Sequence, residues 1–242
     1  PELEREGMVL YHQEKIEECH RDEVRNFFKE EVFPFLQPVL ILKDDIVSFL
    51  RDNRLYLAIK MYRKSERNNP DRQPFYAQIK IPFSKVPRFI KLTPHNGKNY
   101  VMFIDDMIRA NLRSVFPGYV IESCYSIKIS RDADIYLDHE EKGSLVADIK
   151  EKVKKRKIGA LSRFMYDQAM PEDFLRDICA AFGVADEDLV RGGRYHNLQD
   201  LSRLPNPEGK SLEQKPLAPM RVPYLDEIGS MFKAVKRRDV LL

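Results

Sequence analysis

The chain has 242 residues, 43% of them apolar and 33% charged, enough to bury a sizeable core as one large domain or two small ones. Its formal net charge of +3 is too mild to mark a nucleic-acid protein, and no run approaches the roughly 18 apolar residues of a membrane span. The cysteines, Cys19, Cys124 and Cys179, are odd in number and far apart, which argues against a disulfide or zinc framework and for reduced thiols in a cytoplasmic protein. Pro1 to Glu6 lacks a basic region followed by an apolar one, so no signal peptide is expected, and it reads as the end of a helix cut from a longer chain.

Helix and strand signals alternate from there. Asp22 is placed to cap a helix with an apolar stripe of Val24, Phe27, Phe28 and Val32, limited by Pro34. Pro38 to Leu42 reads as a short buried strand. Leu55 to Tyr62 follows as a strand with Leu55, Leu57, Ile59 and Met61 on one face. After an exposed loop, Phe75 to Ile81 alternates Phe75, Ala77, Ile79 and Ile81 against Tyr76, Gln78 and Lys80. Phe89 to Leu92 and Tyr100 to Ile104 read as strands around a turn at Pro94–Asn99.

Asp105 or Asp106 is expected to start a helix carrying Ile108, Leu112, Val115 and Phe116, stopped by Pro117-Gly118. Tyr119 to Ser130 is the longest strand candidate. Ser144 to Lys157 is amphipathic, with Val146, Ile149 and Val153 inward, and Ala160 to Tyr166 reads as a further strand. Pro171 and Gly183 bracket a helix whose stripe is Phe174, Leu175, Ile178 and Phe182. Beyond Leu204, closely spaced prolines mark an extended linker, and a short helix with Ile228, Met231, Phe232 and Val235 closes the chain. The expected class is therefore α+β: a mixed, largely antiparallel sheet with packed helices, a Pro-rich C-terminal linker and a short terminal helix.

Candidate chemistry is sparse. There is no P-loop and no GxGxxG, and Gly192-Gly193-Arg194 reads as a turn. Asp132, Asp134, Asp138 and His139 hint at a metal, but Tyr136 and Leu137 break the calcium-loop pattern, and strand alternation makes these acids solvated outward residues. None of His12, His20, His95, His139 and His196 sits four residues from another, so no helical ligand pair exists, and no metal site is expected. The strongest signal is the basic run from Lys150 to Lys157. Lys150, Lys154 and Lys157 share one flank of a helix, and Arg163 on the next strand adds charge. A basic helix end needs no ligand to be favourable, since cations offset the helix dipole there. The functional alternative makes Lys150, Lys154, Lys157 and Arg163 polyanion contacts.

Several segments, taken in order, resemble the first polyphosphate kinase family. Phe27 to Pro38 is similar to the family's helix that runs into a V-x-P-x-L-x-P turn. Leu55 to Ile59 and Val86 to Ile90 follow. Tyr100 to Gly118 resembles its Y-V-x-x-x-D-x-I-R-x-x-L-x-x-x-F-P-G segment, and Ile129 to Asp134 its T/S-R-D-A-D run. Lys155 to Ala160, Met170 to Glu172, Arg221 to Pro223 and Arg237 to Leu242 complete the set, while Lys43 to Asn53 and Arg63 to Pro74 depart from the family pattern.

The resemblance implies a head (middle) domain over residues 1–204, a linker over 205–225 and the start of the catalytic C-terminal region over 226–242. It implies a parent enzyme that moves the terminal phosphate of ATP onto inorganic polyphosphate through a phosphohistidine, using magnesium. The catalytic residues of that family lie beyond this segment. The fragment itself is therefore expected to be inactive, to carry no catalytic residue and to bind neither ATP nor magnesium. Its expected partners are the rest of the same polypeptide, a second copy of the enzyme and inorganic polyphosphate, and not DNA. The parent is expected in the cytoplasm, with peripheral membrane association. The competing readings are a free-standing polyanion-binding module and a metal-dependent enzyme using Asp132, Asp134 and His139.

Overall fold

A computed structural model of the chain describes residues 2–12, 15–41, 52–66, 69, 71–131, 161–206 and 209–239. These fall into two compact units, residues 1–205 and 206–242. The amphipathic segment over 144–157 and the acidic cluster over 132–139 lie outside the described residues.

The first unit opens with a short helix α1 (Glu2–Arg5) and strand β1 (Met8–Tyr11). Helix α2 (Arg21–Phe27) follows and widens into a π turn over Phe28–Val32, and Pro34 sits in the tighter turn that ends it. Asp22 lies inside the first turn of α2, while His20 occupies the capping position. Strand β2 (Pro38–Ile41) is an edge strand among the described residues rather than the expected buried one: there it pairs only with β4 (Phe75–Lys80), and Leu40 is exposed. Between β4 and the long strand β7 (Tyr119–Arg131) runs β3 (Leu55–Arg63). Strands β8 (Leu161–Asp167) and β9 (Leu189–Gly192) extend the sheet, giving the order β2-β4-β3-β7-β8-β9, antiparallel except for the last pair.

Because β3 is central, both of its faces are buried. Successive side chains point to opposite sides of a sheet. Leu55, Leu57, Ile59 and Met61 enter one core, as expected, with Phe28 and Val32 from the π turn. Tyr56 and Ala58 enter a second core with Ile127, Ile129, Phe164 and Tyr166. Gln78 of β4, paired with Ala58, lies on that second face and is only 2% exposed.

Helix α5 (Glu172–Phe182) covers that second face with Phe174, Ile178 and Phe182. Pro171 stands at its N-cap, and Gly183 ends it in the left-handed region at φ 63°. The amide of Val184 then bonds back to the Cys179 carbonyl at 2.9 Å, the usual way a glycine stop satisfies a helix's last carbonyls. Fully burying each large apolar side chain of this stripe contributes about 1.5–3 kcal/mol.

The opposite face is covered by helices and by a smaller sheet of order β1-β6-β5, formed by β5 (Phe89–His95) and β6 (Lys98–Phe103) with β1 parallel to β6. The β5–β6 turn is tighter than expected. Asn96 and Gly97 both take positive φ, 50° and 71°, the geometry that lets a two-residue hairpin follow the twist of its strands. Strand β6 runs straight into α3 (Ile104–Ala110), and a break at Asn111 separates α3 from α4 (Leu112–Val115), where a single helix is expected from the sequence.

In the second unit Gly209–Leu212 forms a short turn of helix within the stretch 205–225. The terminal helix is two: α6 (Pro223–Ile228), opened by Pro223 and closed by Gly229 at φ 67°, and α7 (Met231–Arg237). The Arg238 guanidinium lies 3.8 Å from the centre of the Tyr224 ring. No helix among the described residues is long and apolar enough to cross a membrane.

Candidate functional site: a basic cleft over a buried ionic network

The site begins at the β6–α3 junction. The first turn of α3 places two neighbouring carboxylates, Asp105 and Asp106, in the interior with no exposed surface. A helix start favours negative charge, but burial at this depth requires partners. Asp105 pairs with Arg88 Nη1 at 2.9 Å, and burial outweighs that attraction, holding its carboxyl above the usual carboxylate range. Arg88 lies over the Phe83 and Phe103 rings and donates to the His196 carbonyl at 3.3 Å.

Asp106 is the hub. Its Oδ1 accepts from Arg109 Nη1 at 2.8 Å and from Arg194 Nη2 at 2.8 Å, and its Oδ2 accepts from the Tyr195 hydroxyl. Arg109 also donates to Ser126 Oγ on β7 at 2.6 Å, and Ser126 donates to the Arg194 carbonyl at 2.7 Å. The Tyr195 ring stacks on Phe103, 4.1 Å between centres. These bonds fix the loop after β9 onto the start of α3. Gly192 permits the approach: a Cβ there would lie 3.0 Å from both His196 Cε1 and Met165 Cγ. His196 is 3% exposed, and burial pushes its imidazole down to about 4, so it is neutral at physiological pH.

Above the network opens a cleft of about 960 Å³, walled by α2 and the segment before it, by α3–α4 and by the middle of β7. The β3–β7 ladder pairs Lys60 with Ser123 and Met61 with Ile121, skipping Glu122. That bulge turns the strand locally and brings Ile121 through Tyr125 to the cleft as one continuous stretch. Lys60 holds Glu122 at 3.2 Å and Asp173 at 2.8 Å. The cationic side chains lining the cleft are Lys15, Arg21, Arg25, Arg109, Arg113 and Arg194, against the acids Glu17 and Glu122.

Of the candidate contacts named from the sequence, Arg163 alone is among the described residues, and it does not line the cleft. Arg163 is exposed on β8 opposite Ser130, toward the far end of β7 from the cleft. Lys150, Lys154 and Lys157 lie outside the described residues, as do Asp132, Asp134 and His139. Among the described residues no three metal-binding side chains gather. His20 is buried and engaged on both ring nitrogens, by the Tyr11 hydroxyl at 2.7 Å and by the Thr93 carbonyl at 2.8 Å. Cys179 is buried, which pushes its thiol up to about 11. Sequence reasoning missed Arg194, read only as part of a turn. The usable signal was Asp105 and Asp106, four and three residues ahead of Arg109, a charged set on a helix leaving an apolar strand.

Known proteins match this fold along its whole length. Residues 19–204 match the family model described as polyphosphate kinase middle domain. The chain belongs to the polyphosphate kinase family. The polyphosphate kinase of Vibrio cholerae is 32% identical over the full chain, and that of Escherichia coli K12 is 31% identical. The chain spans about a third of the length of these curated relatives, 34% and 35%. The crystal structure of polyphosphate kinase from Porphyromonas gingivalis superposes with a TM-score of 0.73 at 35% identity, covering all of this chain and 34% of that one. The α+β architecture is thus that of a polyphosphate kinase middle domain, and the buried network from Arg88 to His196 lies within the matched residues.

Proposed function

We infer that this chain serves as a non-catalytic part of an enzyme that transfers the γ-phosphate of ATP onto inorganic polyphosphate through a phosphohistidine. The carrying observation is the match of residues 19–204 to the family's middle domain, in a chain that spans 34% of its relatives' length. Phosphoryl transfer calls for an in-line nucleophile and for cations, commonly magnesium, that offset spreading negative charge. Two of the histidines described here suit the nucleophile's role poorly: His20 is engaged on both ring nitrogens and His196 is buried. The cations of the cleft suit a supporting role.

In this reading the domain supports dimer formation and helps wall the tunnel through which polyphosphate passes. ATP, magnesium and the phosphorylated histidine are handled by the remainder of the enzyme, which acts in the cytoplasm with peripheral membrane association. A direct assay tests it. The chain alone, given ATP and magnesium, yields no polyphosphate, whereas the same chain joined to the C-terminal portion that its relatives carry does. Polyphosphate synthesis by the isolated chain would overturn the reading.

A further inference from the structure

We propose that the cleft between α2, α3–α4 and the bulged middle of β7 is a binding site for linear inorganic polyphosphate, seating several consecutive phosphates. The proposal rests on the polyphosphate reading above and adds where, within this domain, the polymer is held and by which groups.

The floor is preorganised. One carboxylate, Asp106, holds two guanidinium groups, Arg109 and Arg194, in place. The Arg109 side chain is fully enclosed and anchored at Ser126, so it cannot swing away, and a quarter of the Arg194 side chain is exposed, so its charge is felt in the cleft. A cation fixed in a low-dielectric wall attracts an anion more strongly than one on a free surface, and clefts lined by one sign of charge focus the field.

The rim supplies charges that are free to act. Lys15 and Arg113 are exposed, and neither forms an ion pair among the described residues. Arg21 and Arg25 form only exposed pairs, with Glu18 at 3.8 Å and Asp22 at 3.0 Å. Such surface pairs are weak and exchange readily for a multivalent anion. Of the two acids lining the cleft, Glu122 is paired with Lys60, which also holds Asp173.

Size and lining select the polymer. A cleft of about 960 Å³ is far larger than one phosphate, and its cations come from several separate elements. A nucleotide or an RNA strand asks for aromatic faces on which bases stack. Tyr125 is the only aromatic residue among the described residues lining the cleft. A ligand that is charge on every repeat, with no base to place, fits this lining best.

The test is calorimetric titration of the chain with polyphosphate of defined length. Compared are the unsubstituted chain, a Lys15→Glu/Arg113→Glu double variant, Arg163→Glu, and Lys85→Glu as a surface control away from the cleft. Binding to the unsubstituted chain is expected to weaken as salt rises, and the double variant to lose about tenfold or more in affinity through reversal of two exposed charges. Lys85→Glu leaves affinity unchanged, and thermal melting of all variants stays alike. The proposal is overturned if the unsubstituted chain does not bind, if the double variant binds equally well, if Arg163→Glu alone removes binding, or if single-stranded RNA of matched length binds more tightly. Polyphosphate synthesis by the longer enzyme, measured in parallel, separates the two claims. Synthesis with no dependence on Lys15 and Arg113 sinks the cleft site alone, while binding without synthesis sinks the enzymatic reading and leaves the site standing.

Discussion

Phe174 and Phe232 both sit on amphipathic helical segments, yet one has no exposed surface and the other is 84% exposed. The contrast extends to their units. The first, residues 1–205, closes two cores on either face of β3 and a third beneath the small sheet. The second, residues 206–242, leaves Leu217, Met220 and Phe232 almost wholly in solvent, and Ala234 is its only buried described residue. Apolar spacing at helical period therefore does not by itself say what a helix will bury. In the first unit a sheet supplies a flat apolar partner for α5. In the second, two short helices of six and seven residues offer each other too little surface.

The largest effect that sharpens this contrast belongs to Phe174. It stacks against Tyr76 and meets Tyr125 edge-on, so truncation leaves a cavity that a close-packed core cannot collapse. Phe174→Ala is expected to destabilise the chain by about 3–5 kcal/mol. The measurement is urea unfolding followed by far-UV circular dichroism, since the chain has no tryptophan. A cost below 1 kcal/mol would mean that α5 is not held by this core.

Much of the first unit was legible in the sequence for the same reason that makes it stable. The alternation in Leu55–Met61 and Tyr125–Ile129 is the imprint of a sheet, and Pro171 with Gly183 punctuates α5 with little ambiguity. What alternation cannot tell is whether the second face meets water or another layer; Gln78 on the second face of β4 turns out buried. The hairpin at Asn96-Gly97 was legible and went unused. The site was harder to read. The cleft gathers isolated cations from positions as distant as Lys15 and Arg194, and no contiguous run of charge announces it. Asp106 meets Arg194 across 88 residues, and a bulge that omits one residue from a ladder leaves no mark in composition.

A smaller effect should follow pH. Unfolded, the His196 imidazole titrates near 6.5; folded, burial pushes it down to about 4. Between those values the unfolded chain holds a proton that the folded chain does not. Stability therefore falls as pH drops through that window and is indifferent to this group above it, with a total loss of at most roughly 3 kcal/mol. Asp105, held above the usual carboxylate range, works in the opposite direction in any variant that keeps it. The difference between the chain and His196→Gln thus isolates the imidazole. Equal pH slopes for the two between pH 4 and about 6.5 would show that His196 is reached by solvent.

The smallest expected effect is the one that could break the contrast. Phe232 is already in water, so truncating it opens no cavity and forfeits little transfer free energy. Alanine is also the better helix former, by up to about 0.5 kcal/mol, which acts in the stabilising direction within α7. Phe232→Ala should accordingly move the unfolding free energy by no more than about 0.5 kcal/mol, in either direction. A loss several times larger would mean that this ring is covered in solution. Sedimentation at rising protein concentration then decides the source: a loss that grows with concentration points to a second copy of the chain, and one independent of it to burial within the chain itself.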